Sequence, residues 1–290
     1  MIDYNKMLGF INVNKQKGVS STFVVNRIKR LFKCKCGHMG TLDPLAGGVL
    51  PIGLGQATRA FDIMLSKTKR YTAVYDFSYT TPSLDLETEP SEKSNYIPSA
   101  EQIAEILPSF IGEVEQIPPS YSAKFVDGTR SYKLARRGVE VDLKPKKVTI
   151  ENIDLICRLS QSSYKFDIKC SGGTYIRSIV RDIAKALGVC GVMTNLTRTQ
   201  SGFFTLYNSV TLDELYNCSD PTKYIIKPQD AIELKSIILD NIQAKRLIDG
   251  LKDQLPFDDG VYKVFAESEF WGVGKVENGV IKMQSYIRDI

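Results

Sequence analysis

Residues 37–59 read Gly37-His38-Met39-Gly40-Thr41-Leu42-Asp43-Pro44-Leu45-Ala46-Gly47-Gly48-Val49-Leu50-Pro51-Ile52-Gly53-Leu54-Gly55-Gln56-Ala57-Thr58-Arg59. Six glycines and two prolines in these 23 residues predict no long regular element. Apolar side chains nevertheless run through the whole stretch. A glycine-rich segment that is not hydrophilic implies backbone held close to something. Taken alone, the Asp43-Pro44 step is an Asx turn or a helix cap. His38 is the single histidine of the chain, which excludes schemes needing two.

Outward from this loop, the elements alternate without a regular βαβ rhythm. Residues 8–14 alternate like a short strand, and a turn at 17–22 offers a hydroxyl as N-cap. The helix that follows carries Val24, Val25, Ile28, Leu31 and Phe32 at helical spacing, with Arg27, Lys29, Arg30 and Lys33 on other faces. Residues 69–78 set Tyr71, Ala73, Tyr75 and Phe77 against polar neighbours, a half-buried strand. The acidic stretch 80–99 reads as a loop, and a helix is expected near 100–107. Strands are expected at 148–159 and 164–170, joined by a serine-rich turn. The helix over 174–187 turns Ile176, Ile179, Val180, Ile183 and Leu187 inward and ends at Gly188. Residues 229–290 form a smaller unit, with a helix near 241–249 and short strands bounded by Asp259-Gly260 and Asn278-Gly279 turns. No internal repeat is present. The pattern is α+β.

Composition excludes several classes. The chain has 290 residues, 43% hydrophobic and 24% charged, which is globular rather than disordered or fibrous. No apolar run reaches the roughly 18 residues of a membrane span, and no secretory signal layout is present, so a soluble cytoplasmic protein is expected. The net charge of +5 is small, but it is unevenly placed. Residues 1–37 hold eight basic side chains against Asp3, and residues 124–147 hold eight against three acids. Such segments can present a basic face to phosphates. Cys34, Cys36, Cys157, Cys170, Cys190 and Cys218 are too sparse for a disulfide framework. Cys34-Lys35-Cys36-Gly37-His38 lacks the second ligand pair of a zinc site, so no metal is expected.

Arg177 is the most informative charge. It falls in the first turn of the 174–187 helix, where the macrodipole disfavours a cation by about 0.3–1 kcal/mol. A cation placed there usually has an anionic partner or ligand that compensates for it. Arg177, Arg181 and Lys185 also share one helical face, which could track phosphates or simply meet solvent. Tyr71 and Tyr175 by themselves are core aromatics with edge hydroxyls. No Walker loop, dinucleotide fingerprint or nucleophile elbow is present.

The segment Gly37–Leu50 closely resembles the signature of the TruB family, the bacterial tRNA pseudouridine synthases acting on uridine 55. The resemblance continues in order. Lys17-Gly18 with Ser20-Ser21, Lys69-Arg70-Tyr71, Gln116-Ile117-Pro118-Pro119-Ser120-Tyr121-Ser122-Ala123 and Tyr132–Gly138 are similar to further blocks of the family. Cys170-Ser171-Gly172-Gly173-Thr174-Tyr175-Ile176-Arg177 and Leu196-Thr197-Arg198-Thr199 complete the set. The family's Gly-x-x-Thr-x-Thr-x-Asp block departs here to Phe77-Ser78-Tyr79-Thr80-Thr81-Pro82-Ser83-Leu84-Asp85. Lys124-Phe125 and Lys147 depart as well.

The resemblance implies a pseudouridine synthase fold, a mixed, mainly antiparallel sheet flanked by helices and loops. It implies a catalytic domain at 1–232 and a short PUA-like, RNA-contacting unit at 233–290. The implied reaction cleaves the N1–C1′ bond of a tRNA uridine and rejoins the uracil through C5, without any cofactor. Asp43 matches the catalytic aspartate, Arg177 the arginine that keeps it ionised by pairing with it, and Tyr71 a residue that stacks on the uracil and serves in proton transfer. Tyr175 and Leu196 match positions lining the uracil pocket, and His38 the residue filling the gap left by flipped T-loop bases. The carboxylate could attack C1′, attack C6 or remove the C2′ proton. The expected partner is the tRNA T-arm, bound by a monomer. Rival readings are an RNA-binding, tRNA-folding factor and the same isomerisation on another RNA.

Overall fold

The computed structural model describes residues 7–122, 124–126, 128–139, 141–250 and 254–288. Its principal elements, in chain order, are β1 (Gly9–Lys15), α1 (Ser21–Phe32), β2 (Cys36–His38), β3 (Gly47–Leu54), α2 (Phe61–Ser66), β4 (Lys69–Asp76), α3 (Ala100–Ile106), β5 (Gly112–Gln116), β6 (Lys146–Arg158), β7 (Ser163–Cys170), α4 (Ile176–Leu187), β8 (Val192–Ser201), β9 (Ser236–Leu239), α5 (Asn241–Ile248), β10 (Gly260–Ala266), β11 (Glu269–Glu277) and β12 (Val280–Tyr286). They fall into two compact units, one of Met1–Asp43, Gly48–Leu65 and Ser201–Ile290, the other of Pro44–Gly47 and Ser66–Gln200.

In the first unit β1 pairs antiparallel with β3 over Gly9–Lys15, and β2 pairs with β3 at Cys36–His38. The expectation of no long regular element across 37–59 is corrected: β3 is an eight-residue strand, buried throughout. Burial on both faces removes the polar alternation that would have announced it. Gly48 takes a positive φ of 95°, and Gly53 answers to crowding. A Cβ at Gly53 would stand 2.5 Å from Met39 Cε and 3.1 Å from the Thr58 backbone nitrogen. The chain beyond residue 200 returns to β1, where Phe10 N–H donates to Ile226 O and Asn14 N–H to Val210 O, both at 2.8 Å. Phe10, Met39, Val49, Met64, Phe204 and Val273 share one apolar cluster.

Strands β9, β10, β11 and β12 form a four-stranded sheet, in which β9 lies parallel to β10 and β10, β11 and β12 are antiparallel. This sheet has its own apolar cluster around Ile237, Leu255, Val264, Trp271 and Ile281. The Asn278-Gly279 turn joins β11 to β12, with φ of 51° and 75°. The β10–β11 turn lies instead at Glu267, φ 52°, while Asp259-Gly260 opens β10.

In the second unit the strands run in the order β8-β4-β7-β6-β5. The pairs β4–β7, β7–β6 and β6–β5 are antiparallel. Along β4, Tyr71, Ala73 and Tyr75 are buried and Arg70 is exposed, as their alternation requires. Helix α4 buries Ile176, Ile179, Val180 and Ile183 and stops at Gly188 in the left-handed region. Helix α3 opens with a capping box between Ser99 and Gln102. The acidic stretch 80–99 is only partly a surface loop. Tyr79–Thr80 pairs with Glu92–Lys93, and Thr81, Ser83 and Asp85 are buried.

Candidate active site

In the first unit, the Asp43 loop is held from α1. Ser20 caps that helix, accepting from Phe23 N–H, while Ser21 turns inward. The Ser21 hydroxyl donates to Leu42 O and accepts from Leu42 N–H, each at 2.8 Å. Both polar backbone groups of the residue preceding Asp43 are therefore fixed by one side chain. On the other flank of the loop, Met39 N–H donates to Pro51 O at 2.8 Å. His38, the last residue of β2, and Asp43 are both half-buried.

In the second unit, Arg177 occupies the first turn of α4 and is buried. Its Nη1 donates to Ser83 O at 3.0 Å and its Nη2 to Tyr121 O at 3.0 Å. Nη1 also lies 3.4 Å from Asp85 Oδ2. An anionic partner for this cation is thus supplied within the unit by Asp85. The turn carrying Asp85 is tightly wired. Thr81 Oγ1 donates to Asp85 O at 2.7 Å, and Glu87 N–H donates to Asp85 Oδ1 at 3.0 Å. Leu84, at φ 61°, takes a left-handed conformation that costs a non-glycine residue about 1–3 kcal/mol. Its carbonyl accepts from Met193 N–H of β8 at 3.0 Å.

Tyr175 is placed by a second clamp. Its N–H donates to Gln116 Oε1 at 2.8 Å, and Gln116 Nε2 donates to Tyr175 O at 3.1 Å. Ser178 Oγ and Arg181 Nη2 both donate to Ile117 O, at 2.9 and 3.0 Å. The segment 116–121 is thereby stitched to the start of α4. Tyr75 Oη donates to Ile176 O at 2.9 Å, which ties β4 to the same helix end. Tyr71 on β4 and Leu196 on β8 are buried, on neighbouring strands. Lys69, two residues before Tyr71, is also buried; desolvation, with the charge of Arg198 adding to it, pushes its ammonium down to about 8.

The phosphate-tracking reading of the α4 face is corrected. Arg177 is buried, Arg181 is half-buried and engaged with Ile117 O and Asp182, and only Lys185 of the three is fully exposed. Basic surface comes instead from Lys133, Arg136, Arg137, Lys144, Lys146 and Lys147, all exposed. Arg136 pairs with Glu87 and Lys147 with Glu113. Ala123 of the 116–123 block lies outside the described residues. Among the described residues no cluster of three or more His, Cys, Asp or Glu side chains could hold a metal, and no helix is long and apolar enough to cross a membrane. Sequence reading missed the parts played by Ser21, Gln116 and Tyr121. It met Asp85 only as the end of a departed block, although that block kept its aspartate.

Solved structures share this architecture. An archaeal box H/ACA Nop10–Cbf5 complex aligns over 99% of this chain and 88% of that chain, with a TM-score of 0.72 and 22% identity. A Cbf5–Nop10–Gar1 complex aligns over 97% and 85%, with a TM-score of 0.73 and 23% identity. The fold is that of the pseudouridine synthases, uridine isomerases built on a mixed α+β scaffold. The N-terminal domain model of the TruB family pseudouridylate synthases matches residues 29–176, and the C-terminal domain model of tRNA pseudouridylate synthase B matches 177–240. A Clostridium kluyveri protein called tRNA pseudouridine synthase B is 37% identical over 96% of this chain and 98% of its own length. Proteins of that name from Caulobacter sp. strain K31 and Aquifex aeolicus are 40% identical over 83% of this chain (77% of their own) and 33% identical over 95% (98% of their own). The chain belongs to the TruB family of pseudouridylate synthases.

Proposed function

We propose that this protein isomerises uridine 55 in the T-loop of tRNA to pseudouridine, with Asp43 as the catalytic carboxylate. The N1–C1′ bond breaks and a C5–C1′ bond forms. The proton lost from C5 is matched by one gained at N1, so the reaction neither consumes nor releases anything. Arg177 and Tyr71 complete the catalytic set, and His38, Tyr71, Tyr175 and Leu196 hold the nucleotide. A target base must leave its stack to react, at a cost of a few kcal/mol. Stacking on an aromatic ring such as Tyr71 returns about 1–3 kcal/mol.

The observation that carries this reading is Arg177. A guanidinium withdrawn from water at a helix N-terminus and gripped by Ser83, Tyr121 and Asp85 is a positioned charge, not a solvated one. The doubly bound Leu42 supports the assignment of Asp43, because a carboxylate on a fixed backbone is preorganised. The exposed basic side chains of 133–147 suit the phosphates of a T-arm. In this reading residues 1–232 catalyse, residues 233–290 add a PUA-like RNA contact, and the enzyme works as a cytoplasmic monomer.

The test is pseudouridine formation in an unmodified tRNA transcript without added metal or cofactor, mapped by position and repeated on an isolated T-arm hairpin. Conversion at position 55 in both is expected, and Asp43→Asn should bind tRNA yet form no pseudouridine. Conversion at another position, or an Asp43→Asn variant of normal rate, overturns the assignment. Tight binding without conversion points to an RNA-folding factor.

A further inference from the structure

We propose that Cys34 and Cys36 form a reversible dithiol–disulfide site that reacts with hydroperoxides, independent of the residues assigned to uridine isomerisation. The two sulfurs lie 3.8 Å apart in the turn that leads from α1 into β2. A disulfide needs about 2.05 Å, so the sulfurs must close by under about 2 Å. Both side chains are half-buried and the intervening Lys35 is exposed, which leaves the pair open to a small oxidant. The Cys36 thiol also points at its partner's backbone, 3.4 Å from Cys34 O.

The two thiols are unequal. The hydrogen bond with Cys36 holds the Cys34 thiol down at about 7, whereas Cys36 is pushed well up by the same bond and by burial. One sulfur is therefore available as a thiolate nucleophile beside a neutral thiol that can resolve the product. The other cysteines lack this arrangement. Cys170 is buried and raised to about 11, Cys157 is exposed, and Cys190 and Cys218 are half-buried. Among the described residues the pair has no surrounding group of three or more metal-ligating side chains, which favours sulfur redox chemistry over a structural metal.

In the first step the Cys34 thiolate attacks a peroxide oxygen. The O–O bond breaks, hydroxide (alkoxide from an organic hydroperoxide) leaves and takes up a proton to give water (or the alcohol), and Cys34 becomes a sulfenic acid. The Cys36 sulfur then attacks the Cys34 sulfur, and the S–O bond breaks. The Cys36 proton leaves with the departing hydroxyl as a second water. Two electrons pass from the two thiols to the peroxide. The change is anchored on its far side, because Gly55 N–H donates to Lys35 O at 2.8 Å and Cys36 stands opposite Leu54 in the β2–β3 ladder.

The test treats the reduced full-length protein with stoichiometric hydrogen peroxide and follows intact mass and peptide maps over time. The expected result is loss of two hydrogens on the peptide holding Cys34 and Cys36, reversed by dithiothreitol and about tenfold or more faster than oxidation of Cys157. With Cys36→Ser, a dimedone-trappable sulfenic acid should accumulate at Cys34; with Cys34→Ser, the fast phase should vanish. Oxidation that starts at Cys157 or Cys218, or that proceeds equally at all sites, overturns the proposal. So does a wild-type protein that takes Cys34 to sulfinic acid without passing through the disulfide.

Discussion

Arg177 and Asp85 form an ion pair sealed from water: Nη1 and Oδ2 lie 3.4 Å apart, with the two side chains 5% and 4% exposed. Removing one member of such a pair costs about 3–5 kcal/mol, because the other charge is left buried without its counterion. Asp85→Ala should therefore destabilise the protein by that amount in denaturant melts. Asp85→Asn keeps the shape but not the charge, and single-turnover pseudouridine formation should fall by about a hundredfold as Arg177 loses its fixed position. Wild-type turnover in a folded Asp85→Asn variant would reduce the pair to a structural role. Arg177→Lys should not rescue, since an ammonium cannot span Ser83 O, Tyr121 O and Asp85 as the planar fork does.

The Gln116 clamp on Tyr175 makes a separable prediction. Gln116→Leu removes the acceptor of the Tyr175 N–H, at about 1–3 kcal/mol, while Tyr175 O keeps the N–H groups of Ser178 and Ile179 at 3.0 and 3.3 Å. Loss of RNA affinity, read as a raised KM, should exceed loss of kcat, because Tyr175 is assigned to holding the base. Gln116→Glu keeps the acceptor for Tyr175 N–H and should recover part of the loss. An unchanged KM with a reduced kcat would move Tyr175 into the chemistry.

The exposed basic segment should act through phosphates alone. For the double variant Arg137→Ala/Lys144→Ala, the slope of log affinity against log salt should become shallower by about 1–2, with saturated turnover unchanged. An unchanged slope, measured by filter binding of tRNA across a salt series, would place the RNA elsewhere.

Asp76, at the end of β4, supplies a pH test. It accepts from Ser78 N–H at 2.9 Å, Ser162 Oγ at 2.8 Å and Ser163 Oγ at 2.6 Å, as well as from the Ser78 hydroxyl. Burial alone would raise this carboxyl, but these bonds outweigh it and hold it below its ordinary value. A lowered folded-state pKa gives stability that is fully present above the unfolded value of about 3.9 and is lost as pH falls through the folded one. Asp76→Asn should cost about 1–3 kcal/mol in urea melts at pH 7. The gap between the variant and the wild type should shrink as pH falls below about 4. A gap equally wide at pH 3 would show that packing, not charge, is at stake.

Local periodicity was enough to place several elements. The alternation Tyr71, Ala73, Tyr75 names β4, and Ile176, Ile179, Val180 and Ile183 with Gly188 name α4, because a side chain's face follows from its spacing alone. The ordered blocks around Asp43, Tyr71 and Arg177 likewise identified the family, since each is a contiguous run of residue types. The cation at the start of α4 pointed to an anionic partner or ligand, and Asp85 is one such partner.

Which anion faces Arg177 within its unit was a tertiary matter. Asp85 reaches Arg177, and Gln116 reaches Tyr175 from 59 residues away, through backbone turns that no short-range period encodes. Strand β3 escaped for the opposite reason. Buried on both faces and crowded by Met39 and Thr58, it needs glycine where a strand ordinarily shows alternation, so its composition imitates a loop. Sequence by itself determined the elements whose two faces differ and the family whose motifs are contiguous. Tertiary structure alone decided the elements and partners whose environment is supplied by distant chain, because burial and counter-charge belong to the neighbours and not to the residue.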